Sequence, residues 1–175
     1  MLTMNRLLQA CVWLSRIGHC RGFGIQSPTD YRFERYVINE SWPYYAYQEL
    51  GQNDDRMRRK LGRLYFRLVN ERQPATIVDW LGYRDYLEAG CRKAVVVDEA
   101  TDVDMAFVPI KTDYHRLFQE CNEQSLVVFQ DIYRHPDYWH CIEHDLRVSV
   151  TFDLFYCGIV TFDPKREKHN YKINF

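Results

Sequence analysis

The sequence predicts an α/β fold: a mostly parallel sheet closed by an antiparallel hairpin and preceded by a helical leader. Three observations carry this. The first 72 residues show the 3.6-residue apolar rhythm of helices and no convincing strand. From Thr76 onward, short continuous apolar runs alternate with helix-like segments, the pattern of strands covered on both faces. Finally, residues 148–155 and 158–162 are strand-like with almost no chain between them, which only an antiparallel pair allows.

Residues 2–18 read as a helix on the stripe Leu7, Leu8, Cys11, Val12, Leu14 and Ser15, broken by Gly18, Gly22 and Gly24. A second helix starts at Ser27-Pro28, a cap followed by a proline in the first turn, with Tyr31, Phe33, Tyr36, Val37 and Ile38 as packing groups. Asn53-Asp54-Asp55 caps a third, whose apolar face is Leu61, Leu64, Tyr65, Leu68 and Val69 and whose wet face is Arg58, Arg59, Lys60, Arg63 and Arg67. Strands are then expected at 76–81, 93–98, 104–110 and 125–129. Helices are expected around Tyr86-Leu87, from Tyr114 to Cys121 and from Asp137 to Leu146. Residues 1–72 form the leader and 73–175 the sheet domain, packed together as one unit.

Composition narrows the class. Only 8 of 175 residues are glycine, which argues against collagenous, linker-like or disordered chains and leaves little material for a glycine-rich phosphate cradle. The net charge of −1 divides into +5 over residues 1–72 and −6 over 73–175. That is too mild and too spread for a nucleic-acid stripe, and it suits attraction between the two parts. No apolar run reaches the ~18 residues of a membrane span, and nothing reads as a secretory signal. The six cysteines (Cys11, Cys20, Cys91, Cys121, Cys141, Cys157) are scattered without a CxxC pair. A cytoplasmic protein with reduced thiols is expected.

Several short motifs resemble those of the class I S-adenosylmethionine-dependent methyltransferases, in particular a group of small bacterial members with a helical leader. Gly24-Ile25-Gln26-Ser27-Pro28 resembles that group's Gly-Ile-His-Ser-Pro, and Gln130-Asp131-Ile132-Tyr133 its Asp-Asp-Ile-His turn. VSVTFDLFYCGIVTF from Val148 to Phe162 resembles its closing hairpin, and His169-Asn170-Tyr171 its tail. The resemblance implies a Rossmann-like, three-layer αβα sheet with S-adenosylmethionine at the carboxyl ends of the first strands. It places Asp79 and Gly82 in the cofactor loop, Asp98 or Glu99 at the ribose, with Asp98 the candidate, and Asp131 near the acceptor.

The sequence departs from the pattern where chemistry would occur. The family's acid-x-Gly-x-x-x-Gly is here Asp79-Trp80-Leu81-Gly82-Tyr83-Arg84-Asp85, with Leu81 and Asp85 in place of both glycines. Between Glu99 and Asp104 only four residues remain where relatives carry helices and a strand. Of the acids used by metal-assisted relatives only Asp131 survives, beside Gln130, and Pro109-Ile110-Lys111-Thr112 replaces Asp-Gly-x-His; a hard divalent cation wants more oxygen ligands than that.

Other constellations read as structural. His140-Cys141-Ile142-Glu143-His144 fits H-x-x-E-H, but Tyr138, Trp139, Ile142 and Leu146 define the packed face and leave both histidines in solvent. Asp113 and His115 could act as acid and base, although a helix cap explains them. Trp42-Pro43-Tyr44-Tyr45-Ala46-Tyr47 reads as internal packing or as a partner surface. The expectation is a degenerate methyltransferase-like protein, non-catalytic, with no cofactor or metal. It would act as a binding or interaction module with a second copy or an intact methyltransferase relative, and take neither nucleic acid nor membrane. The alternative is an active S-adenosylmethionine-dependent enzyme with an altered cofactor loop.

Overall fold

The computed structural model describes residues 6–99 and 101–175. The leader contributes α1 (Arg6–Ser15), a 3₁₀ turn at Ile17–His19, α2 (Pro28–Phe33), a π-helical stretch at Glu34–Ile38, a 3₁₀ turn at Tyr45–Gln48 and α3 (Arg56–Arg72). Residues 2–5 of the first expected helix lie outside the described residues. Ser27 accepts from the Asp30 amide with Pro28 opening α2, and Asp55 accepts from the Met57 and Arg58 amides at the head of α3, as read from the sequence.

The sheet contains β1 (Thr76–Asp79), β2 (Val95–Val97), β3 (Val103–Pro109), β4 (Cys121–Gln130), β5 (Val150–Asp153), β6 (Cys157–Thr161) and β7 (His169–Lys172), with α4 (Arg84–Gly90), α5 (Tyr114–Gln119) and α6 (Pro136–His144) between them. Among the described residues it is seven-stranded, in the order β2-β1-β3-β4-β6-β5-β7. Strand β6 alone runs against its neighbours β4 and β5, while β7 lies parallel to β5. Val128 opposite Ile159 and Phe152 opposite Ile159 show the hairpin seated beside β4.

Side chains alternate across the sheet into two cores. Met105 and Phe107 of β3 point into a cluster with α3, α4 and the leader, and Ala106 and Val108 into one with α5 and α6. Two glycines permit the closest approaches. A Cβ at Gly62 of α3 would lie 2.5 Å from the Tyr86 ring of α4, and Gly158 of β6 gives way to the Trp139 indole of α6.

Several expectations need correction. Arg67 is not on a wet face: it is 7% exposed, its Nε donating to the Val37 carbonyl and Nη2 to that of Ile38, each at 2.7 Å. The π-helical stretch ends with those carbonyls directed at α3, and the guanidinium supplies the donors that water would otherwise give. Leu146 is fully exposed, because α6 stops at His144. Trp80 and Leu81 leave the first strand and begin a turn. The aromatic cluster divides: Tyr44 and Tyr47 pack edge-on against Phe66, whereas Trp42 and Tyr45 are exposed. Strand β7 was not expected from its polar sequence.

Between β2 and β3 only residues 98–102 bypass β1, although parallel crossovers ordinarily take a dozen residues or more. So short a link has no room for a helix or an extra strand.

Candidate functional site

Because β1 to β4 are parallel, the ends of β1, β2 and β4 bring Asp79, Asp98 and Asp131 to one edge of the sheet, the edge where open α/β sheets take ligands. The turn after β1 is closed on itself. Asp79 Oδ1 accepts from the amides of Leu81 and Gly82, both at 3.0 Å, and Oδ2 from that of Tyr83 at 2.8 Å. Three consecutive N–H groups that could cradle a ligand are thereby satisfied within the loop. Gly82 takes a φ of +73°, which lets the turn close, and its carbonyl accepts from Arg58 Nη2.

Tyr83 then turns inward. It is 2% exposed, edge-on to Tyr65 at 4.8 Å, under the Arg58 guanidinium at 4.3 Å and beside Tyr86 at 6.1 Å. Tyr65 packs on Phe107 at 5.0 Å and donates to Gln130 Oε1 at 3.1 Å, so aromatic rings fill the ground above the ends of β1, β3 and β4. Burial raises the phenol pKa of Tyr65 and of Tyr83. Leu81 packs against this cluster, and Asp85 is an exposed first-turn residue of α4.

The loops after β1 and β2 are stitched to each other. Trp80 Nε1 donates to the Asp98 carbonyl at 2.8 Å, and Arg84 Nη2 to that of Val96 at 3.4 Å. Asp98 itself is exposed. Asp131 sits at φ +65°, its amide donating to the Tyr156 carbonyl at 2.7 Å and its carboxylate 3.8 Å from Arg134 Nε. The fold thus gathers Asp79, Gly82, Asp98 and Asp131 at one edge, with the Asp79 carboxylate spent within its own turn and that of Asp98 exposed. Tyr83 fills the ground at the end of β1, and the amides of Leu81, Gly82 and Tyr83 are already bonded within the loop.

His140 and His144 lie on the exposed side of α6, with ring centroids 4.1 Å apart. Among the described residues no three His, Cys, Asp or Glu side chains gather as a metal set. Asp113 caps α5 through the Arg116 amide, and His115 stands 3.8 Å from Asp145. No helix among the described residues is long and apolar enough to cross a membrane. The sequence reading missed Arg58, Trp80 and Tyr65 as closers of the edge; the Asp79–Gly82 spacing, which suits an Asx-type turn, was the available signal.

Searches of protein-family models, curated proteins and solved structures found no match to this chain.

Proposed function

We propose that the chain is a degenerate methyltransferase-like protein with a trimmed, Rossmann-like three-layer sheet that no longer catalyses and acts as a binding or protein-interaction module. One observation carries the reading. Asp79 spends its carboxylate on the amides of Leu81, Gly82 and Tyr83, and Tyr83 fills the end of β1. The strand order supports the ancestry: a mostly parallel sheet admits one reversed strand, β6, between β4 and β5. The short β2–β3 link removes a further part of a nucleotide site. A second copy or an intact relative is the partner this reading favours.

Calorimetric titration of the folded chain with S-adenosylmethionine and S-adenosylhomocysteine tests it. No binding up to millimolar ligand is expected. Binding at tens of micromolar or tighter overturns the non-catalytic reading. That result would favour the second one, an altered but active methyltransferase, for which the shared edge of Asp79, Asp98 and Asp131 speaks.

A further inference from the structure

A pair of adjoining clefts lies between α1 and α3. The first, about 630 Å³, has an apolar wall of Trp13, Leu14, Met57, Tyr156 and Phe175, with Arg56 and Lys60 at its margin. The second, about 520 Å³, shares Trp13, Arg56, Lys60 and Phe175 with it and adds Arg63. Each volume falls in the range of small-molecule sites. Arg56, Lys60 and Arg63 follow one another at i, i+4 and i+7 along one face of α3.

Arg56, Lys60 and Arg63 form no ion pair among the described residues. The Lys60 ammonium rests 4.2 Å from the Phe175 ring centre and 5.8 Å from that of Tyr156. The Arg63 guanidinium lies 4.7 Å over Tyr47, and its buried Nε finds no acceptor among the described residues. The neighbouring cations are already committed, Arg67 to the Val37 and Ile38 carbonyls and Arg59 to those of Gly51, Gln52 and Asp54. Glu40, the one side-chain carboxylate lining the second cleft among the described residues, accepts from the Tyr44 hydroxyl at 2.6 Å. Burial lowers the Lys60 pKa to about 8, as for an ammonium held out of water without compensation. Like charges spaced this way repel, and the cost persists until an anion enters. The apolar wall beside them, with Leu14 60% exposed, asks at the same time for an apolar body.

We propose that the double cleft binds an anionic amphiphile, its carboxylate or phosphate head against Arg56, Lys60 and Arg63 and its apolar tail along Trp13, Leu14, Met57 and Tyr156. This does not rest on the reading of the β1 edge; binding of S-adenosylmethionine would overturn that reading and leave this one standing.

The test is titration of the full chain with dodecanoate and dodecyl phosphate below their micelle concentrations, with dodecyltrimethylammonium as the opposite-charge control. Saturable binding of both anions and none of the cation is expected. Lys60→Met combined with Arg63→Gln should weaken dodecanoate at least tenfold, and exposed Arg56→Gln, which leaves the packing intact, severalfold. Absence of anion binding, equal binding of the cation, or unchanged affinity in Arg56→Gln and in the folded double variant overturns the proposal. Co-sedimentation with phosphatidylglycerol vesicles, competed by dodecanoate, assigns the head to a bilayer lipid; binding of the free surfactants without vesicle recruitment assigns it to a soluble ligand.

Discussion

Tyr83 meets Tyr65 edge to face, ring centres 4.8 Å apart, and this pair closes the carboxyl end of β1. Both rings are buried, and Tyr65 carries the contact on to Gln130. Tyr83→Ala should therefore lower the unfolding free energy by about 3–5 kcal/mol, the usual range for removing a buried ring. Tyr65→Phe should cost about 1–2 kcal/mol, since buried Gln130 Oε1 loses its donor. Urea denaturation reads both.

Asp79 works as an internal cap of its own turn. Asp79→Ala releases the amides of Leu81, Gly82 and Tyr83 together and should destabilise by about 2–4 kcal/mol, with faster hydrogen exchange at those three amides. Asp79→Asn keeps one acceptor oxygen and turns an amide nitrogen toward backbone donors, so an intermediate loss is expected. Wild-type stability and exchange in both variants would refute this role.

Arg67 holds two carbonyls along one edge of its guanidinium, Nε and Nη2 donating side by side, a geometry a lysine cannot reproduce. Arg67→Lys should cost about 2–4 kcal/mol by chemical denaturation, and Arg67→Met at least as much, because each leaves a buried acceptor without its donor. Exchange should rise first in residues 34–39, where the Asn39 amide closes the π-helical stretch on Glu34.

Lys60 makes stability depend on alkaline pH. Burial lowers its pKa from 10.5 to about 8, with Arg56 and Arg67 adding in the same direction and Cys157 opposing. Between those values the unfolded chain binds the extra proton, so this contribution destabilises below about pH 8 and is relieved as pH rises toward 10.5. Cys121, raised to about 12 by burial, and Cys157, raised by burial and Asp153, act in the opposite sense above their ordinary value of 9. The difference between wild type and Lys60→Met isolates the lysine. The variant should be more stable by ~1–3 kcal/mol at pH 7, with the gap shrinking by pH 10.5. A gap that stays constant with pH would sink the assignment.

Local chemistry made much of this readable. Ser27 and Asp55 announce the helices they cap, and the spacing around Tyr156 announces an antiparallel pair. Leu81 and Asp85 were legible as departures from a cofactor loop, whereas the self-closed turn of Asp79 was not. What escaped depends on elements distant in sequence. Helical periodicity places Arg67 beside Arg63, yet only the arrival of Val37 and Ile38 decides that it is buried. Tyr83 looks like any loop tyrosine until Tyr65 and Arg58 close on it. Strand β7 has a polar sequence and owes its conformation to the free side of β5, against which Tyr171 stacks on Phe152.

The short span between β2 and β3 also bears on how copies of this chain can meet. It leaves β2 as a three-residue rim flanked by Lys93 and by Asp98 and Glu99, while the opposite rim is four residues long and ends on Lys172. Neither offers a long, flat row of backbone groups to a foreign strand. Edge-to-edge pairing of sheets, the route by which copies of a chain extend into fibrils, is therefore disfavoured at both rims.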